Sequence, residues 1–245
     1  MRTYFNKLIV LSLLLVGCSS KTNTYEKSCF YVDKFNYNNP VPYSDEVDET
    51  YFDNTLIAGD SRVGSLVLYN KLKNADVKFI ESLSLSMFKI TKIEKDKEDS
   101  KTLYTYIMDS DKENIYIMIG LNEIGLNSYE KWSNSYDNLI KEIKEKHPKS
   151  NIYMLSIYTV ENAYKLKKEL IKDKVDKMNF YIKKIASDNY VYYLDLDEAL
   201  KGETGHIKDE YTFDGVHFTK EGTDAFIDYL KTHVGGSNYV QEVCE

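Results

Sequence analysis

Beyond its first twenty residues, this 245-residue chain has no apolar run near the ~20 residues that a membrane-spanning helix needs. Positive charge is also scarce. With 32 basic against 39 acidic side chains the net charge is -7, so no basic field can hold a polyanion by counterion release. Zinc-finger and RNA-binding spacings are missing, and nucleic acid is not an expected partner. His, Cys and carboxylate residues never gather at metal-ligand spacing, so no metal is expected. There is no internal repeat. Cysteine is limited to three, at positions 18, 29 and 244. With 42% hydrophobic residues the chain can bury one sizeable core rather than two. The 22 tyrosines suit stacking against sugars, and an AT-rich coding bias produces the same excess.

The amino end carries an export pattern. Arg2 and Lys7 precede the apolar run Leu8–Val16, too short for a permanent span and right for a signal peptide. It closes on Leu15-Val16-Gly17-Cys18, which resembles the bacterial lipobox, and this implies cleavage after residue 17 and diacylation of Cys18. Two acyl chains give stable anchoring, so the mature chain is expected on the outer face of the cell membrane. Export also permits a disulfide between Cys29 and Cys244.

Residues 18–50, polar and aromatic with Pro40 and Pro42, read as a tether and a loosely packed approach segment. A domain is expected over 51–234, followed by a tail at 235–245. Within it short apolar runs recur: Thr55–Ala58, Val77–Ile80, Ile115–Ile119, Ile152–Ile157 and Val191–Leu196. Runs of this length suit strands buried on both faces. The stretches between and after them have helical lengths, at about 62–73, 99–109, 130–147, 164–188 and 219–233. Five such alternations predict a parallel sheet between helices, with chemistry beyond the carboxyl ends of the strands. No Gly-rich phosphate fingerprint follows the first strand, so no nucleotide cofactor is expected.

The residues after the strands carry the chemistry. Gly59-Asp60-Ser61-Arg62 follows the first, Gly120-Leu121-Asn122-Glu123 the third, and Asp214-Gly215-Val216-His217 precedes the last helix. A Ser at a strand-to-helix turn is exposed above the sheet, where a nucleophile belongs. Asp214 and His217, three apart, can face one way, the carboxylate fixing one imidazole nitrogen while the other meets Ser61.

These three segments, in this order, resemble blocks one, three and five of the SGNH (GDSL-type) hydrolases over residues 51–233. The resemblance implies a flavodoxin-like three-layer α/β/α sandwich around a five-stranded parallel sheet, and acyl-ester chemistry without metal or cofactor. It assigns Ser61 as nucleophile, His217 as acid/base and Asp214 as its orienting carboxylate. It also implies an oxyanion hole from the Ser61 N–H, the Asn122 side chain and a block-two glycine N–H. Block two departs from the pattern: Glu81-Ser82-Leu83-Ser84-Leu85-Ser86 has no glycine, and Ser84 is the positional substitute. A backbone N–H survives any residue but Pro, whereas the positive φ that glycine allows does not suit Ser.

Glu123 reads as a loop-fixing residue, and Arg62 as the partner of Asp60 or Glu123 rather than of a substrate carboxylate. His147, His206 and His233 read as surface residues, and Tyr129, Trp132 and Tyr136 as core more than cleft. The expected reaction is removal of O-acyl groups, acetyl foremost, from an extracellular polysaccharide or peptidoglycan. Transfer to a sugar hydroxyl beside a membrane-bound acyltransferase uses the same triad. A glycan-binding scaffold that has lost turnover is the reading from another class.

Overall fold

A computed structural model describes residues 29–94, 97–125, 128–159 and 172–244, with side chains from 33 to 243. The expected signal segment and Cys18 lie outside the described residues, as do the side chains of Cys29 and Cys244. Residues Asp33–Val240 form one compact unit, and the described residues outside it are 29–32 and 241–244. In chain order the strands are β1 (Cys29–Asp33), β2 (Thr55–Gly59), β3 (Asp76–Phe79), β4 (Asn114–Met118), β5 (Asn151–Leu155), β6 (Tyr192–Leu194) and β7 (Val240–Cys244). Strands β1 and β7 pair in a two-stranded sheet of their own. The other five form one sheet in the order β3-β2-β4-β5-β6, with every neighbouring pair parallel. This order reverses direction at β2, which places a crevice at the carboxyl ends of β2 and β4.

The helices are α1 (Gly64–Leu68), α2 (Leu103–Met108), α3 (Tyr129–Lys146), α4 (Lys172–Asp188), α5 (Leu196–Leu200) and α6 (Lys220–Thr232). They pack in two groups, α1 and α5 on α6, and α2 and α4 on α3. These cover the sheet and give the three-layer α/β/α sandwich. All five residues of β2 and of β4 are buried, as strands covered on both faces must be. Among the described residues no helix is long and apolar enough to cross a membrane.

Local signals set the element ends. Helix α1 is shorter than the expected 62–73 because Asn70 takes a left-handed φ of 55°, which stops α-helical continuation. Strand β6 stops at Leu194 because the Asp195 side chain caps α5 by accepting the Glu198 N–H. The first part of the helix expected at 164–188 falls in 160–171, outside the described residues.

The approach segment from Asp33 onward is not loose. Val41 is buried and donates its N–H to the Tyr193 carbonyl at 2.9 Å, while Ser44 and Val47 donate to the carbonyls of Thr232 and Lys231. The segment's backbone groups find their partners on the edge strand β6 and at the end of α6, so the unit starts earlier than 51. The tail likewise belongs to it as far as Val240, with the Gly235 and Gly236 N–H groups donating to the hydroxyls of Tyr153 and Tyr192.

His147 is a further correction, since it is buried and its Nε2 meets the Ile107 carbonyl at 2.7 Å. The capping position at the end of α3 turns its ring inward. Tyrosine also serves the core rather than the surface alone. Tyr116 and Tyr153 stack with ring centroids 4.2 Å apart, and Tyr51 reaches both of their hydroxyls.

Candidate active site

At the end of β2 the chain has to pass close to β4. A Cβ on Gly59 would collide with the Met118 carbonyl oxygen and come within 2.8 Å of Val63 Cγ2, so no larger residue fits there. The Asp60 N–H then donates to that same Met118 carbonyl at 3.1 Å. Asp60 and Arg62, both fully buried, clamp the turn: Arg62 Nε and Nη2 each donate to the Asp60 carboxylate at 2.9 Å. Burial works against the guanidinium charge, but the Asp60 carboxylate outweighs it, and the Arg62 pKa stays above its usual value. Ser61, held between these two, stays partly exposed.

The second segment is a tight loop before α6. Thr212 and Phe218 form an antiparallel bridge at its neck, and Gly215 at its tip takes φ 82°. Inside it Asp214 Oδ1 accepts the N–H groups of Val216 and His217 at 2.9 and 2.7 Å. Asp214 Oδ2 meets His217 Nδ1 at 2.7 Å, and His217 Nε2 lies 3.1 Å from Ser61 Oγ. With Nδ1 donating to the carboxylate, Nε2 is left to accept from the serine hydroxyl. Burial alone would raise the Asp214 carboxyl, yet the bonds from the His217 ring and from two backbone N–H groups hold it below the usual carboxylate value. Phe213 stacks on the imidazole at 5.9 Å, and the Tyr158 hydroxyl donates to the Val216 carbonyl, fixing the loop from beneath.

The third segment and the block-two loop face each other across the end of β2. Gly120 (φ 115°) starts a short 3-10 turn, Leu121–Glu123, from which Asn122 Nδ2 donates to the Leu83 carbonyl at 2.9 Å. Glu123 accepts the Leu85 N–H and so ties the two loops together. Ser84 is extended, with φ -110°, and the left-handed residue of the loop is Ser82, at φ 55°. The strain expected at Ser84 therefore sits two residues earlier. Ser84 and Asn122 line one groove, together with Lys131 and Trp132. The residues expected for the site thus divide in two. Ser61, His217 and Asp214 form one hydrogen-bonded chain, while Asn122 and Ser84 stand on neighbouring loops.

Glu123 is 4% exposed, and burial, opposed by the Leu85 N–H and aided by the Asp60 charge, pushes its pKa up to about 7. A carboxyl whose folded pKa is raised keeps its proton in the folded state where the unfolded chain has lost it. Its contribution therefore costs stability as pH climbs from about 4.5 to about 7, by on the order of 3 kcal/mol in all. Glu123→Gln is expected to flatten this decline and to be more stable than wild type at pH 8, by chemical denaturation at several pH values. An unchanged slope between pH 4.5 and 7 would contradict it.

Trp132 and Tyr136 are core residues, at 5% and 0% exposure, although Trp132 also reaches the groove. His206 and His233 are half-buried, and His233 stacks on Tyr229 at 3.8 Å. Among the described residues no group of three His, Cys, Asp or Glu could hold a metal ion. Sequence reasoning missed the Tyr158 and Phe213 supports, whose only signal was their proximity to a strand end and to the Asp214–His217 loop.

A serine, an imidazole and a carboxylate linked in this way, at the crevice of a doubly wound sheet, define the serine-hydrolase class of constellation. The sequence pattern of the GDSL-like lipase/acylhydrolase family matches residues 104–225, and the chain belongs to that family. A GDSL-like lipase from Bacteroides thetaiotaomicron has a similar fold, with TM-score 0.53 and 16% identity over 76% of this chain and 89% of that one. The lipase/acylhydrolase from Enterococcus faecalis gives TM-score 0.51 and 13% identity over 72% and 93%. The N-acylneuraminate cytidylyltransferase of Escherichia coli O18:K1:H7 is 27% identical over 154 residues, 60% of this chain. The chain spans 34% of the length of that curated relative.

Proposed function

We propose that this chain is a serine ester hydrolase that removes O-acyl groups from an extracellular or cell-wall polysaccharide. The observation that carries the reading is the chain Ser61 Oγ to His217 Nε2 at 3.1 Å and His217 Nδ1 to Asp214 at 2.7 Å. Ser61 Oγ attacks the ester carbonyl carbon while its proton passes to His217 Nε2. The tetrahedral oxyanion is held by the Ser61 and Ser84 N–H groups and the Asn122 amide. Its collapse breaks the bond to the alcohol oxygen, which takes the proton from His217. Water then repeats the sequence on the acyl-serine, releasing the carboxylic acid and restoring Ser61. Asp214, kept ionised by its hydrogen bonds, stabilises the imidazolium in both halves.

Cleavage before Cys18 and its lipidation would hold the enzyme outside the membrane, where cell-wall and surface glycans are the esters within reach. The name of the curated relative, which refers to an acylated sugar, agrees with a saccharide substrate. Incubation with an O-acylated oligosaccharide is expected to release free acid. A fluorophosphonate is expected to label Ser61, as peptide mass spectrometry would read. Asn122→Ala should lower kcat about 10²- to 10³-fold with a small change in KM. Folded protein that takes no label at Ser61 would remove the serine mechanism and leave the scaffold reading.

A further inference from the structure

Three of the chain's large, solvent-exposed apolar side chains meet at one place: Val67, Leu68 and Phe213, at 55%, 70% and 62% exposure. They line a cleft of about 560 Å³ together with Ser61, His217, Phe79 and Phe218. The cleft begins at the nucleophile, so whatever fills it is part of the ester under attack. Besides Ser61 and His217 its polar members are Ser65 on α1 and Glu81 and Ser82 on the loop after β3. The groove beside Asn122 is a separate surface, where Ser84, Ser128, Lys131 and Ser135 stand beside the apolar Leu85 and Trp132. An ester has two halves, and the cleft that Ser61 and His217 share with Val67, Leu68 and Phe213 suits a hydrocarbon one.

An acetyl group adds one methyl to the reacting carbonyl and would leave the rim wet. The geometry points to a substrate whose acyl chain is longer than acetyl, of about four to eight carbons, with Val67, Leu68 and Phe213 as its specificity-determining residues. The inference rests on the proposed serine esterase reading and narrows its acyl group. Because the rim covers the chain from one side, each methylene is worth about twofold to fourfold in kcat/KM. Hexanoyl, with four more methylenes, should therefore exceed acetyl by about 15- to 250-fold.

The test is a series of p-nitrophenyl acetate, butyrate, hexanoate and octanoate, each below its solubility limit, with wild type, Leu68→Asp and Phe213→Ser. Leu68 is exposed at the end of α1, so its replacement does not threaten the core. Wild type is expected to peak beyond acetate, and Leu68→Asp to bring the hexanoate-to-acetate ratio to within about threefold of unity. A wild-type profile that is highest at acetate and falls with each methylene overturns the inference while leaving the serine mechanism intact. So does a hexanoate preference that survives in both variants. Turnover that persists in Ser61→Ala sinks the underlying mechanism instead, and turnover of none of the esters sinks both.

Discussion

Ser61→Ala is expected to lower kcat/KM for an activated ester about 10⁴-fold, with KM nearly unchanged. The reason is the geometry at the hydroxyl: its oxygen lies 3.1 Å from His217 Nε2, the nitrogen left to take its proton. His217→Ala should cost about as much. The double variant should cost no more than either single one, because residues that transfer one proton act as a unit. Asp214→Asn probes a different link. It keeps an oxygen for the Val216 and His217 N–H groups but loses the charge that sets the Nδ1–H tautomer, so kcat should fall about 10²- to 10⁴-fold while the loop stays folded. Initial rates on p-nitrophenyl esters, with circular dichroism to confirm folding, decide the matter. If losses in Ser61→Ala and His217→Ala simply multiplied in the double variant, the two residues would not share a proton path.

Most of this site was legible before any coordinates, for physical reasons. Five buried runs alternating with helical lengths leave a parallel sheet as the arrangement that satisfies their backbones, and parallel strands bring their carboxyl ends to one edge. Ser61 and Asn122 follow neighbouring strands in that edge, and a two-residue spacer makes Asp214 and His217 orient each other. What was illegible depends on contacts between distant segments. Nothing local marks Val41 as a partner of β6, or His147 as buried, because each is decided by the backbone group waiting opposite it. The backbone of the block-two loop is illegible for a related reason. The missing glycine drew attention to Ser84, whereas the left-handed turn falls on Ser82 and the Leu85 N–H goes to Glu123. The apolar rim was equally hidden, since Val67 and Leu68 look like ordinary helix residues until α1 is seen to turn them beside the nucleophile.

The pair that flanks the nucleophile carries the largest expected effect on stability. Asp60→Ala would strand a guanidinium that is fully buried and donates its hydrogen bonds to that carboxylate, at a cost of about 3–5 kcal/mol. For a unit of this size the melting temperature should fall by about 6–20 °C. The loss comes from the uncompensated charge and not from the attraction itself, because two buried ions pay most of their Coulomb energy back in desolvation. Hence Asp60→Leu combined with Arg62→Met should melt close to wild type while either single replacement melts low. The same zero exposure rules Arg62 out as a hand for a substrate carboxylate. Activity separates the two roles of the clamp. If the double variant recovers its melting temperature but not its turnover, the ion pair also holds Ser61 in register with His217. Thermal melts in which Asp60→Ala stays within about 2 °C of wild type would show instead that the charge finds water or another partner.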